Sequence, residues 1–449
     1  MTQHPQKSRK EWSSRFSMVM AGAGSAIGIG TLWQSPYMID LYGGGTFLFW
    51  YLGALFIIGV PMLITELLLG KQARCNVVSL YRQQGHGLVG WVSWATSIIT
   101  LSYYYIVGGW GLHYIFLLLI HALPSSAEAI RSQFMLLEET SWITLFWSLL
   151  FIALSSRIVE RGVHEGIERW SKRLIPLLIL FLFLLGILGT FLGGGAKTFH
   201  FLTTLKPITP DGIMSAIGLA CFTLSVGQGV MLTYGSYTQT TMSIPKLSAT
   251  IGTVVALVSL LSAGMVFSMV FAFDLPTGEG KSLVFTTLPV LFVKVPFGTL
   301  FAALFFSLFF FAALTSAISY LEVSVAYWEE GGNSRFRGTW YSGILILILA
   351  LPSIFPILPH WKELYQLSFF ESMVQCVTQF LTPFLVLYTS IMVGWGNKER
   401  RIELTSAFCD DGSLFLKKSV SLWLWMIRWV IPLIMITLIL DSWRAFGAA

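Results

Sequence analysis

The chain has 449 residues, of which 55% are hydrophobic and only 11% charged, with 17 tryptophans and a mean hydropathy of +0.73. A water-soluble domain of this size needs far more surface charge, so these figures exclude one and place the chain in a membrane. The formal net charge of +6 calls for no nucleic-acid partner, because basic residues flanking membrane spans account for it.

The polar start MTQHPQKSRKEWSSR lacks the apolar core of a signal peptide and reads as a cytoplasmic tail over 1–15. Beyond it, apolar runs of about 20 residues, the length that crosses a ~30 Å hydrocarbon core, predict eleven spans. They lie near 16–38, 46–70, 88–120, 142–158, 167–192, 211–237, 245–273, 297–328, 338–355, 370–395 and 419–440, and are numbered here spans 1 to 11. Inner segments then hold 20 of the 28 basic residues, Arg428 lies within span 11, and outer segments hold seven: Arg131, Lys197, Lys206, Lys281, Lys294, Lys362 and Arg444. That bias puts the amino end inside and, with an odd number of spans, the carboxyl end outside. The expected organisation is a core over 16–395, an amphipathic inner loop over 396–418, and span 11 with a short outer tail over 419–449. Cys75, Cys221, Cys376 and Cys409 show no CxxC spacing, so neither a disulfide nor a metal site is expected.

Span 1 carries AGAGSAIGIG at 21–30, with four glycines, each costing up to ~1 kcal/mol relative to alanine inside a helix. Span 6, five spans later and opposite in orientation, carries SVGQG at 225–229. Two glycine-interrupted spans at equivalent places in two halves point to a transporter built from inverted repeats, here about 16–192 and 211–395. Unwound backbone at mid-membrane needs partners, since each unpaired polar group costs several kcal/mol. It offers carbonyls to a small cation and half-helix N-termini to a carboxylate. Close packing is the competing reading, because Gly24 and Gly28 have the spacing of a helix seam. In span 8, Thr315 and Ser316 stand side by side, either back-bonded to their own helix or presented as oxygen ligands. In span 2, Glu66 is a structural anchor or a proton site.

GSAIGIG, GGGTF, ITELLLGKQ, SYYY with GGW, FTLSVGQG with TYGSY, and ALTSAIS resemble, in order and spacing over about residues 9–395, the neurotransmitter:sodium symporter family, in its bacterial leucine-transporter-like branch. The resemblance implies an all-α membrane fold of two inverted five-helix repeats with spans 1 and 6 unwound. It also implies sodium-coupled import of an amino acid by alternating access across a bacterial-type plasma membrane. The resemblance places a second sodium site on the carbonyls of Gly24, Ile27 and Ala312 and the hydroxyls of Thr315 and Ser316. The substrate carboxylate would meet the N–H groups near Gly30 and the Tyr104 hydroxyl. The ammonium would meet carbonyls near Ala26, Phe222 and Thr223 and the Ser225 hydroxyl. Ser25, Gln228, Ser319 and Tyr320 fall where the family lines its side-chain pocket, with Phe222 as a wall. Gln228 stands at a usually apolar or aromatic position and suggests a more polar pocket.

Departures from the pattern are equally specific. The resemblance places the first sodium site at Ala26, Thr31 and Thr223, but Thr31 and Val255 stand where the family has asparagines and Leu219 where a glutamine is common; threonine can still ligate through its hydroxyl. Valine offers no side-chain oxygen, so this site is expected to be weak or absent, with coupling through the second. Ser259, Tyr51 and Thr223 lie where chloride-dependent members bind that ion, while Leu219 removes a ligand, and chloride is left open. Arg9, three residues before Trp12, and Glu330 match the inner gate, supported by Tyr237. At the outer gate Gln34 replaces an arginine and Glu371 roughly matches its acidic partner, which implies an easily populated outward-open state. Alternatives are proton-coupled or antiport use of the scaffold, with Glu66 as carrier, or a substrate-sensing receptor or channel. The scattered histidines form no constellation of a membrane enzyme. No residue pattern fixes the amino acid or an oligomeric state.

Overall fold

A computed structural model describes residues 10–124, 126–274, 281–355, 357–358, 360–361, 363, 366–409 and 414–447. Among these residues the chain is helical without a strand. Helix starts follow capping chemistry written in the sequence. Ser14 accepts from the Ser17 N–H at the start of span 1, and Thr209 from the Gly212 N–H ahead of Pro210 at span 6. Ser334 opens span 9, and Ser368 with Glu371 forms a capping box at span 10.

The spans run Gly45–Ala73 (span 2), Gly87–Leu119 (span 3), Ser141–Val159 (span 4), Val163–Thr203 (span 5), Ile244–Ala272 (span 7), Gly298–Glu330 (span 8), Arg335–Ile354 (span 9), Phe369–Trp395 (span 10) and Lys417–Arg444 (span 11). Span 1 is Arg15–Ala26 and Gly30–Leu41, bent by 54° at its break. Span 6 is Pro210–Thr223 and Val230–Gly235. Among the described residues, eight helices are long and apolar enough to cross a membrane, and the bent span 1 makes nine. Spans 3 and 6 fall outside that count. Span 3 is diluted by tyrosines, serines and glycines, and span 6 is cut into pieces of 14 and 6 residues.

Two features depart from the sequence reading. Span 5 continues past 192 to Thr203 through a kink at Gly193, whose φ of 98° suits glycine. There Gly194 approaches span 7 so closely that a Cβ would sit 1.8 Å from the Ser268 carbonyl oxygen. The loops between spans also contain helices: Val77–Gln83, Ala127–Glu139, Leu283–Val293 and Lys398–Phe408. The first two start at capping side chains, Asn76 and Ser126; the third is apolar but too short to cross.

Spans 1 and 6 sit inside the bundle. Every residue from Ser17 to Ala26 is buried, with span 8 packed across spans 1 and 3. Spans 4, 5, 9 and 11 present Trp142, Phe183, Ile348 and Leu433 outward, as a lipid-facing surface requires. The end where span 1 begins is called below the amino-terminal face, and the opposite end the far face.

Candidate functional site

The two breaks meet at the centre of the bundle. Span 1 stops at Ile27, whose backbone leaves the helical region (φ −88°, ψ 79°). Span 6 opens over Leu224–Gly229 with positive φ at Ser225 (52°), Gly227 (76°) and Gly229 (78°). A serine in the left-handed region costs ~1–3 kcal/mol, so the surroundings must hold it. Ser225 Oγ is 3.1 Å from Ser25 Oγ and 3.2 Å from the Ser25 carbonyl oxygen, which ties the two breaks together.

A cluster of oxygens lies beside that junction. Ser316 Oγ is 3.0 Å from the Ser25 carbonyl and 3.3 Å from that of Gly24, while Thr315 Oγ1 is 3.0 Å from Phe311 O and 3.1 Å from Ala312 O. Thr315 Cβ would lie 3.3 Å from a Cβ placed on Gly24. Thus Gly24, Ala312, Thr315 and Ser316 come together next to the Ile27 break, all fully buried or backbone. The Thr315 hydroxyl is back-bonded to its own helix, and its Cβ packs against Gly24 of span 1. A hard monovalent cation favours such neutral oxygens.

Next to the oxygens stands a group of buried rings and hydroxyls. The Tyr104 hydroxyl lies against the N–H groups of Ile29 and Gly30, and a Cβ on Gly28 would sit 2.9 Å from it and 2.4 Å from Ser316 Oγ. Phe222 covers Gly30 at 3.1 Å by the same measure. The Tyr104 and Tyr320 rings are 5.8 Å apart, and the Tyr320 hydroxyl reaches Ser225 Oγ at 3.5 Å. Ser319 accepts from the Tyr234 hydroxyl at 2.7 Å and donates to Thr315 O. Gln228 Oε1 accepts from Tyr320, and its Nε2 donates to Thr382 Oγ1 at 3.1 Å. Through these bonds Gln228 links span 6 to spans 8 and 10.

Around Thr31 the oxygens are sparser. Thr31 Oγ1 is 3.4 Å from the Ala26 carbonyl, Val255 is buried, and the Ser262 hydroxyl of span 7 donates to Thr31 O at 3.0 Å. Ser262 was not singled out from sequence. Tyr51 and Ser259 share a 2.9 Å hydrogen bond. The Thr223 hydroxyl lies near Tyr51 without a well-formed bond of its own, and Leu219 is buried nearby in span 6. Glu66, fully buried, accepts the Gly227 N–H at 2.6 Å on Oε1, while Oε2 has no partner among the described residues. A carboxyl from span 2 thereby terminates the unwound backbone of span 6.

The amino-terminal face is closed by interlocking groups. Trp12 is fully buried, donates through Nε1 to Tyr234 O (3.0 Å) and through its backbone N–H to Tyr237 O (2.9 Å), and its carbonyl accepts from Gln239. Glu168 of span 5 accepts from the Ser13 N–H at 2.7 Å and lies 3.3 Å from Lys172. The Tyr237 hydroxyl donates to Glu322 (2.7 Å), which is fully buried in span 8 and paired with Arg335; Arg335 also reaches Glu329 and Val159 O. Glu330 accepts the Asn76 N–H at 2.7 Å, and Arg9 lies outside the described residues. Glu322 and Arg335 were missed from sequence, although an acid inside an apolar span was a visible signal. Toward the far face, Gln34 is half-buried beside Gly30, and Glu371 caps its own helix through Ser368.

Comparisons with known proteins converge on one family. The model of the sodium:neurotransmitter symporter family matches residues 9–132 and 129–448. A sodium-dependent transporter of Bacillus subtilis, YhdH, is 34% identical over 441 residues, covering 96% of this chain and 97% of that protein. The rat sodium-dependent neutral amino acid transporter SLC6A17 is 27% identical over 265 residues, 51% of this chain and 36% of its own. The crystal structure of MhsT in complex with L-phenylalanine superposes with a TM-score of 0.86 at 30% identity, covering 97% of this chain and all of that one.

Proposed function

Because this chain belongs to the sodium:neurotransmitter symporter family, a family of multi-pass membrane transporters and not of enzymes, we propose that it imports a neutral amino acid together with one sodium ion. The observation that carries this reading is the meeting of two unwound backbones with a fully buried Thr315–Ser316 pair. In this reading Gly24, Ile27, Ala312, Thr315 and Ser316 hold the ion. Tyr104 and the N–H groups of Ile29 and Gly30 orient the carboxylate. Carbonyls at Ala26, Phe222 and Thr223, with Ser225, receive the ammonium.

The named pocket residues Ser25, Phe222, Ser225, Gln228, Ser319 and Tyr320 carry no charge, which favours a neutral side chain. The phenylalanine in MhsT and the name of SLC6A17 support that class. Thr31 and Thr223 leave the first ion site short of ligands because Val255 contributes none. The tail, the two repeats and the carboxyl end are assigned as in the sequence reading, with the amino-terminal face cytoplasmic. Trp12, Tyr237, Glu322 and Glu330 close that face, with Arg9 as the expected further member.

The test is equilibrium binding of labelled neutral amino acids to the purified chain in sodium chloride and in potassium chloride. Binding is expected in sodium alone, and Ser316→Ala should raise the sodium concentration needed by at least about tenfold, ~1.4 kcal/mol. Equal binding in both salts would overturn the reading. A second reading, proton coupling through Glu66, is favoured by its partnerless Oε2 and would appear as binding driven by pH in potassium.

A further inference from the structure

The far-side approach to the pocket is roofed by rings. Tyr103 lies 5.6 Å from Tyr104, Phe370 of span 10 lies 6.1 Å from Tyr103, and Trp110 stacks 6.0 Å from Phe370. Trp110 in turn meets Phe134 of Ala127–Glu139 at 5.5 Å and Phe285 of Leu283–Val293 at 5.7 Å. At the top of this column one cation touches it twice. Lys281 Nζ is 5.6 Å from the Phe370 ring centre and 5.9 Å from that of Trp110. Its ammonium is also paired with Glu138, and both side chains are only 29% exposed.

A lysine in an outer loop ordinarily extends into water. Here its head is drawn over two ring faces and held by a carboxylate, a partly desolvated setting in which cation–π attraction exceeds its value at an open surface. Gln34 brings no charge to this approach. Lys281, just ahead of Leu283–Val293, joins groups from three other elements: the helix Ala127–Glu139, span 3 and span 10.

We propose that Lys281 is the latch of the far-side lid. Its ammonium ties the start of the helix ahead of Leu283, at Lys281, to Trp110, Phe370 and Glu138, and so holds the ring column shut above Tyr104. It is a gating residue that touches no substrate. The inference rests on reading the pocket at Tyr104 as the transport site, and it explains how a chain with glutamine at position 34 still closes that side.

The chain carries its own reporter. Cys376 is half-buried in span 10, near Tyr103 and below Phe370, whereas Cys75 and Cys221 are buried. In the full-length chain with Cys409→Ser, reconstituted in sealed liposomes with sodium chloride, labelling of Cys376 by a membrane-impermeant maleimide reads lid opening. Lys281→Gln is expected to label at least about fivefold faster than the parent and Lys281→Arg close to the parent, because arginine keeps the charge and the ring contact. Glu138→Gln, which keeps the cation and removes its carboxylate, should label at an intermediate rate. Parental rates in both Lys281→Gln and Glu138→Gln would overturn the proposal, as would Lys281→Arg labelling as fast as Lys281→Gln. Amino acid uptake in the same liposomes is read separately, so failure of the transport reading is distinguishable from failure of the latch.

Discussion

At the scale of single residues, the site is defined by atoms that glycine leaves out. Gly28 has Ser316 Oγ and Tyr104 Oη within 2.4 and 2.9 Å of where a Cβ would stand, and both hydroxyls belong to the proposed ion and substrate positions. Gly28→Ala should therefore weaken amino acid binding by at least about tenfold. Gly53→Ala, in the same protein with nothing within 4 Å, should leave it unchanged; equal behaviour of the two would remove Gly28 from the site. Such glycines were legible because four in one apolar span oppose its helix. Glu322 was harder to read. The acid itself was visible in span 8, but its partner Arg335 lies beyond the turn that ends the span, and Tyr237 comes from span 6. Gln228 shows the reverse case: the sequence marks an unusual amide, but only the fold shows that Tyr320 and Thr382 use both of its ends.

At the scale of elements, the two broken spans are stabilised from outside themselves. Glu66 reaches from span 2 to accept the Gly227 N–H at the unwound turn of span 6. Leaving a buried donor unpaired costs ~1–3 kcal/mol. Glu66→Gln keeps an acceptor oxygen and is expected to retain thermal stability, whereas Glu66→Leu should lower it by about that amount. Thermal unfolding in detergent separates them, and equal loss in both would mean that the charge, not the hydrogen bond, matters. The spans themselves were readable from apolar run length, because a bilayer imposes one length on every crossing helix. The loop helices were not, since Val77–Gln83 and Ala127–Glu139 depend on local caps and on packing against the bundle. The extension of span 5 to Thr203 likewise rests on a glycine contact with span 7 that no run length reveals.

For the whole molecule, the amino-terminal face is closed by Trp12 and by the buried Tyr237–Glu322–Arg335 group. Removing one partner of a buried ion pair costs ~3–5 kcal/mol. Glu322→Leu is thus expected to raise hydrogen exchange over Arg15–Ala26 as that face opens, whereas unchanged exchange would mean that the network does not hold the face shut. The most direct measurement of the whole is uptake of labelled neutral amino acids by the reconstituted chain, with an inward sodium gradient and with potassium in its place. Accumulation above equilibrium with sodium, rising hyperbolically with its concentration, is the result expected of one coupled ion at the Thr315–Ser316 site. Accumulation that is equal in potassium would contradict the coupling, and a steeply cooperative sodium dependence would contradict the single ion.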